Sequence, residues 1–224
     1  ATGTEERPLV FGGNDTPGVM MAGAMRRYLN VYGVAPGRRT AIFTTNDTGY
    51  ALAADLEAAD VEVAAIIDTR PSPSVRWAGK ARQIPGAFVS DAYGGRSIFK
   101  IDVWRGGRTE RLNVDSLAMS GGFSPIIHLA CHRGGKPVWS DECAAFLPPD
   151  GLDTLSVAGS ARGVTGLGVE IRGLLARLAA REVTRDDGRR KAARERGRLQ
   201  LHAERAMHLH AIVGHHRPVR DVAH

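Results

Sequence analysis

The sequence predicts an α/β fold: a parallel sheet in three layers, carrying an antiparallel β-hairpin element and inserted in part of a second domain of similar build. Three observations predict it. Residues 40–68 hold a complete strand-helix-strand pattern. Residues 87–119 switch to alternating segments split by glycine pairs. Three strand-like runs end in small-residue turns: Ala1-Thr2-Gly3, Leu117-Ala118-Met119-Ser120-Gly121-Gly122, and Ser156-Val157-Ala158-Gly159-Ser160-Ala161-Arg162-Gly163. At such turns the backbone can approach a ligand closely. The order of the three, with a strand-helix-strand unit between the first and second, is that of one module nested inside another.

The elements follow in chain order. Residues 8–11 read as a short extended segment, and residues 12–18 form a dense turn cluster. Residues 19–32 carry Val19, Met20, Ala24, Tyr28, Leu29 and Val31 at helical spacing, with Gly33 placed to end the helix. Thr40–Thr45 is a buried-type strand, Tyr50–Ala59 an Ala- and Leu-rich helix, and Val61–Ile67 a second strand that ends at Asp68. Such a unit crosses over right-handed into a parallel sheet. Segments around Phe88, Ser97–Trp104 and Thr109–Val114, split by Gly94-Gly95 and Gly106-Gly107, read as antiparallel hairpins. Leu117–Met119 is another buried strand, and Val164–Arg181 reads as a closing helix with Leu167, Ile171, Leu174, Leu175 and Leu178 on one face.

From about Thr184 the pattern ends. Of the 30 basic and 24 acidic side chains, ten and five fall in residues 185–224, which leaves twenty and nineteen elsewhere. The net charge of +6 therefore belongs to the tail, and the body offers no electrostatic footprint for nucleic acid. Six of the eight histidines also lie in this tail, without the acidic or Cys partners that fix a zinc geometry. The tail is expected to be disordered or translated out of frame. No run approaches the roughly 18 apolar residues of a membrane span, and the first residues lack the basic and apolar regions of a signal peptide. Cys131 and Cys143 form no C-x-x-C pair, so two free thiols in a reducing cytoplasm are expected.

The turn Thr44-Thr45-Asn46-Asp47-Thr48-Gly49 stands where a dinucleotide fingerprint carries glycines at its first, third and sixth positions. Thr44 and Asn46 replace the first two, and only Gly49 fits. Asp47 adds negative charge near the helix start, where it is expected to cap the helix and repel phosphate. Asp68 stands where a ribose-binding acid belongs. A retained Rossmann-like fold with a degraded site is the favoured reading, and a bound dinucleotide held by Thr44, Asn46, Gly49 and Asp68 is the other. The second candidate constellation joins Thr2 and Gly3 to Gly159, Ser160 and Gly163. A flavin-binding version of that turn carries Asp where Ser160 stands; Ser supplies a hydroxyl but no carboxylate. His128 and His132 flank Cys131, but at spacings that do not bring the three side chains together. No residue reads as a general base, a nucleophile or a metal ligand.

The stretch Glu6–Met20 resembles the alpha subunit of heterotetrameric sarcosine oxidase after its first dinucleotide half-domain. So do Tyr28-Leu29-Asn30, residues 32–37, Phe43-Thr44-Thr45-Asn46-Asp47, Leu117–Pro125 and Val157–Gly163. The resemblance spans about residues 1–180. It implies an oxidoreductase subunit that works on CH–NH donors: sarcosine is oxidised to glycine, a one-carbon unit at the formaldehyde level and hydrogen peroxide. It implies NAD in the first dinucleotide domain, FAD on the beta subunit with the substrate site, FMN between alpha and beta, and tetrahydrofolate on a C-terminal domain absent here. The implied partners are the beta, gamma and delta subunits, with neither nucleic acid nor membrane among them. The implied division is 1–35 for part of the first domain, 36–125 for the inserted Rossmann-like NAD-type domain, 126–183 for the return to the first, and 184–224 for the tail. On this reading the chain is a fragment without independent catalysis. Opine and cyanide-forming dehydrogenase subunits share parts of the pattern. An NAD(P)H-dependent flavin disulfide-type reductase is a further reading, but it needs a redox Cys pair and an intact glycine loop.

Overall fold

A computed structural model describes residues 3–132, 134–149, 155 and 157–164. Thr2, the tail and all but the first residue of the expected closing helix lie outside the described residues. Residues 1–163 form one compact unit and 164–224 a second.

The first unit begins with β1 (Thr4–Glu6), β2 (Val19–Met21), α1 (Ala22–Tyr32), β3 (Arg39–Thr44), α2 (Thr48–Ala58), β4 (Glu62–Asp68) and β5 (Arg82–Pro85). It continues with β6 (Phe88–Gly94), β7 (Ile98–Arg105), β8 (Arg108–Asn113), β9 (Ser116–Ser120), β10 (Phe123–Pro125), α3 (His128–His132), β11 (Val138–Ser140) and β12 (Ala145–Leu147). A 3₁₀ turn covers Gly159–Arg162.

Five strands in the order β2-β9-β3-β4-β5 make an all-parallel sheet. Such a sheet must be covered on both faces, and here the two covers differ. Helices α1 and α2 bury Met25, Leu52 and Leu56 against Ile42 and Ile66 on one face. The antiparallel meander β6-β7-β8 buries Val89, Ile98 and Ile101 against Phe43, Ile67 and Leu117 on the other. The result is the expected three-layer α/β architecture with its antiparallel element.

The helix expected over 19–32 opens as a strand: β2 pairs in parallel with β9, and α1 starts only at Ala22. A three-residue strand is too short to register as alternation, and Met20-Met21-Ala22 blends into the helical pattern. The parallel sheet thus includes residues N-terminal to the boundary expected at 35. Gly33 does end α1: at φ +65° its N–H bonds the Leu29 carbonyl at 3.0 Å, the bond of an αL closure, and the Val34 N–H bonds the Tyr28 carbonyl at 3.1 Å. Residues 8–11 form no strand, although Phe11 packs edge-on against Phe43.

The nesting rests on a small ribbon. β1 pairs antiparallel with β10, Thr4 opposite Pro125 and Glu6 opposite Phe123. The chain therefore enters and leaves the parallel-sheet module side by side, and the returning chain builds the hairpin β11–β12 and the Gly159 turn.

Candidate functional site

In an open parallel sheet, ligands bind in the crevice beyond the carboxyl ends of the strands. Here Thr44 ends β3, Asp68 ends β4 and Ser120 ends β9, so three neighbouring strands deliver polar side chains to one edge. All three are buried.

The Thr44–Gly49 turn at this edge is closed by its own groups. The Asn46 Nδ2 donates to the Ser120 carbonyl at 3.2 Å and to Ser120 Oγ at 3.1 Å. The Asn46 Oδ1 accepts the Thr48 N–H at 2.9 Å and also the Thr48 hydroxyl. Thr48 opens α2, and its N–H is one of the unpaired first-turn donors that a phosphate oxygen takes in a nucleotide-binding loop. The Asn46 amide occupies that donor and spans the gap to β9. The expected cap does not form: Asp47 makes no capping bond with its side chain. Its carboxylate instead meets Arg70 at 2.8 Å and Ser74 Oγ at 2.9 Å. The longer reach of the Arg70 guanidinium and its full charge draw it away from the helix start.

Gly49 keeps the third glycine's role. A Cβ there would lie 2.7 Å from Thr44 Cβ, so only glycine lets α2 approach β3 this closely.

Asp68 stands where expected, with no exposed surface and with its acceptors already engaged. Oδ1 accepts the Arg70 backbone N–H at 2.9 Å and Arg70 Nε at 3.1 Å. Oδ2 accepts the Tyr50 hydroxyl at 2.8 Å and Arg70 Nη2 at 2.8 Å. Gln83 Nε2 donates in turn to the Tyr50 oxygen at 2.8 Å. Burial and the bond to Asp68 push the Tyr50 phenol up to about 12. Asp68, helped by Asp47 and opposed by burial, holds the Arg70 guanidinium above its ordinary value. Burial works to raise the Asp47 carboxyl, but the bonds from Arg70 and Ser74 outweigh it and hold it below the usual carboxylate range. Sequence reasoning does not single out Tyr50, Arg70 or Ser120. The signals that point to them are the placement of Arg70 two residues past Asp68 and of Ser120 at the head of the Ser-Gly-Gly turn.

The four residues of this edge therefore do not fit a dinucleotide. Its phosphate position is taken by Asn46 and its ribose acid by Arg70 and Tyr50.

The second constellation is different. Gly3 (φ +74°) and Gly159 (φ +76°) both hold the left-handed backbone that favours glycine. The Gly3 carbonyl accepts the Ile126 N–H at 3.0 Å, an extension of the β1–β10 ribbon. A Cβ built on Gly3 would lie 3.9 Å from Ser160 Oγ, the single described neighbour within 4 Å. Residues 157 apart in sequence are thus brought together at an open glycine. Gly163 (φ +80°) packs rather than opens: a Cβ there would lie 2.9 Å from both Cys143 Sγ and Leu147 Cδ2. Among these residues, Gly3 is the one whose described surroundings are open, with Ser160 Oγ beside it.

The sheet, its split covers and the nested ribbon define a Rossmann-like dinucleotide-binding fold of the kind found in flavin- and nicotinamide-linked oxidoreductases. Its fold is shared with the L-proline dehydrogenase of P. horikoshii, at TM-score 0.56 and 23% identity, over 72% of this chain and 29% of that one. It is also shared with the thioredoxin reductase of T. acidophilum, at TM-score 0.51 and 14% identity, over 74% of this chain and 57% of that one.

In sequence, the chain is homologous to part of the sarcosine oxidase alpha subunit. It is 68% identical over 167 residues to that subunit of Rhizobium meliloti (strain 1021), which covers 75% of this chain and 17% of the relative. It is 40% identical over 176 residues to that of Corynebacterium sp. (strain P-1), covering 73% of this chain and 18% of the relative. An opine oxidase subunit of Agrobacterium tumefaciens (strain Ach5) is 31% identical over 214 residues, covering 80% of this chain and 42% of the relative. The chain thus spans about a fifth of the length of the sarcosine oxidase subunits it matches. No family model matches it. Among the described residues, no helix is long and apolar enough to cross a membrane.

Proposed function

We propose that this chain is a segment of the alpha subunit of a multi-subunit sarcosine oxidase, taking part in flavin-dependent oxidative demethylation of sarcosine to glycine with release of hydrogen peroxide. The 68% identity to the Rhizobium meliloti subunit carries this reading. The beta, gamma and delta subunits are the partners, in a reducing cytoplasm.

On this reading the parallel-sheet module is a structural insert, because its carboxyl edge is filled by Asn46, Arg70 and Tyr50. NAD belongs to the outer domain. There Gly3 gives its backbone room, Gly159 holds the left-handed turn, Ser160 offers a hydroxyl, and Gly163 seats the turn on Cys143 and Leu147. FMN and FAD, when bound in the complete enzyme, would supply the redox chemistry, and tetrahydrofolate would take up the one-carbon unit. The chain's own residues position and orient; none is assigned a proton transfer. The inserted unit is proposed to begin before Val19, since β2 and α1 belong to its sheet.

The test is turnover by the complete enzyme that carries this chain in its alpha subunit. Peroxide release with sarcosine is expected, with little or none from opines. The 31% identity to the opine oxidase subunit favours a second reading; turnover of an opine with no sarcosine turnover would establish that one instead.

A further inference from the structure

The tip of the meander holds an arrangement that the sheet does not need. β7 and β8 are joined by Gly106 (φ +55°) and Gly107 (φ +81°), two left-handed residues in a two-residue turn. This is the turn whose twist matches a tight hairpin. The flanking residues are Arg105 and Arg108, directly opposite each other in the register. Like charges in that position destabilise a strand pair, and neither arginine has an acidic partner among the described residues. By contrast, two nearby arginines are compensated: Arg111 of β8 holds Asp102 at 2.7 Å, and Arg82 of β5 reaches Glu110 at 2.8 Å.

Beside this pair runs a groove of about 390 Å³ between β5 and the β7–β8 hairpin. Its floor is apolar, formed by the buried Ile84 and Val103. Its rim carries Arg82, Arg105 and Arg108 against the one carboxylate of Glu110. On the same end of the hairpin, Trp104 stacks on Phe88 with ring centroids 4.8 Å apart, and both remain partly exposed. That aromatic pair lies on the other face of the hairpin from Val103 and Arg105, so the groove itself is defined by its arginine rim and apolar floor.

We propose that this hairpin tip is a docking site for a polypeptide segment of a partner chain that bears carboxylates among apolar side chains. Arg105 and Arg108 clamp a carboxylate from two sides, since guanidinium groups match carboxylates in a planar, two-point fashion. The apolar neighbours of that carboxylate lie on Ile84 and Val103. The like-charge pair is then a cost in the free chain that binding relieves. This inference is independent of which amine the complete enzyme oxidises.

The test uses the full chain and a fluorescent peptide of alternating Glu and Leu, with an alternating Gln and Leu peptide as its uncharged counterpart. The Glu peptide is expected to bind and the Gln peptide to bind at least about tenfold more weakly. Arg105→Gln with Arg108→Gln is expected to weaken the Glu peptide about tenfold or more while raising the melting temperature, because repulsion is removed. Arg96→Gln, an exposed cation outside the groove, is expected to leave binding unchanged. Equal binding by the double variant and the wild type would overturn the proposal. So would an equal loss in Arg96→Gln, which signals general charge attraction, or a fall in melting temperature of the double variant, which gives the arginines a structural role.

Discussion

At the carboxyl edge of the sheet, one asparagine amide stands where a glycine-rich loop leaves space for phosphate. Asn46 bonds both the first turn of α2 and the end of β9, so the Thr48 N–H at the helix start is satisfied without a ligand. Asp68 is likewise spent within the chain, on Tyr50 and Arg70. Tyr50 gives this network a pH signature. Its phenol sits at about 12 in the fold, against about 10 for an unfolded chain. The folded state therefore holds this proton more tightly. The stability it contributes is complete below about pH 10 and falls as pH rises toward about 12. Urea unfolding at about pH 8 and about pH 11 is expected to show that decline in the wild type and a smaller one in Tyr50→Phe. The variant is also expected to lose about 1–3 kcal/mol at the lower pH, because Asp68 loses a buried donor. An undiminished alkaline decline in Tyr50→Phe would contradict this assignment.

At the scale of elements, the long periodic ones were legible and the short ones were not. β3, α2, β4 and the meander follow from alternation, apolar runs and glycine pairs, because each buries a full face. β5, β1, β10, β11 and β12 have three or four residues each, too few to show a period, and long-range pairing decides them. The degraded glycine pattern at residues 44–49 was legible too, but what replaced the ligand was not. Asn46 reaches Ser120 and Arg70 reaches Asp47, groups distant in sequence that only the folded register brings near. A similar long-range contact starts α1. Met21 at its N-cap has no capping side chain, and Glu6 of β1 supplies the missing acceptor, with Gly23 N–H donating to Oε2 at 2.8 Å. Glu6→Ala is expected to cost about 1 kcal/mol in urea unfolding, with the loss concentrated in α1 by hydrogen exchange. No change would mean that water caps the helix equally well.

At the scale of the molecule, the β1–β10 ribbon turns one module into an insert and sets Gly3 beside Ser160. The molecule thus presents two small-residue turns of opposite character. One is buried and filled by its own side chains, and at the other a Cβ on Gly3 would meet a single described neighbour, Ser160. The 68% identity to a sarcosine oxidase alpha subunit, of which 17% is covered here, is the ground on which the Gly3 turn is proposed as part of a larger cofactor domain. The sequence pointed to both turns through their small residues, and the fold separates them by what surrounds each glycine: Thr44 at Gly49 and, among the described residues, Ser160 alone at Gly3.

The most direct measurement is NAD affinity, by calorimetry, in the complete alpha subunit that contains this chain, compared among the wild type, Gly3→Val and Thr48→Val. Gly3→Val is expected to weaken NAD by about tenfold or more, since a side chain there enters the open turn, whereas Thr48→Val leaves it within about twofold. The reverse order, with Thr48→Val lowering affinity and Gly3→Val without effect, would place the nucleotide at the edge that Asn46 fills and contradict this division of roles.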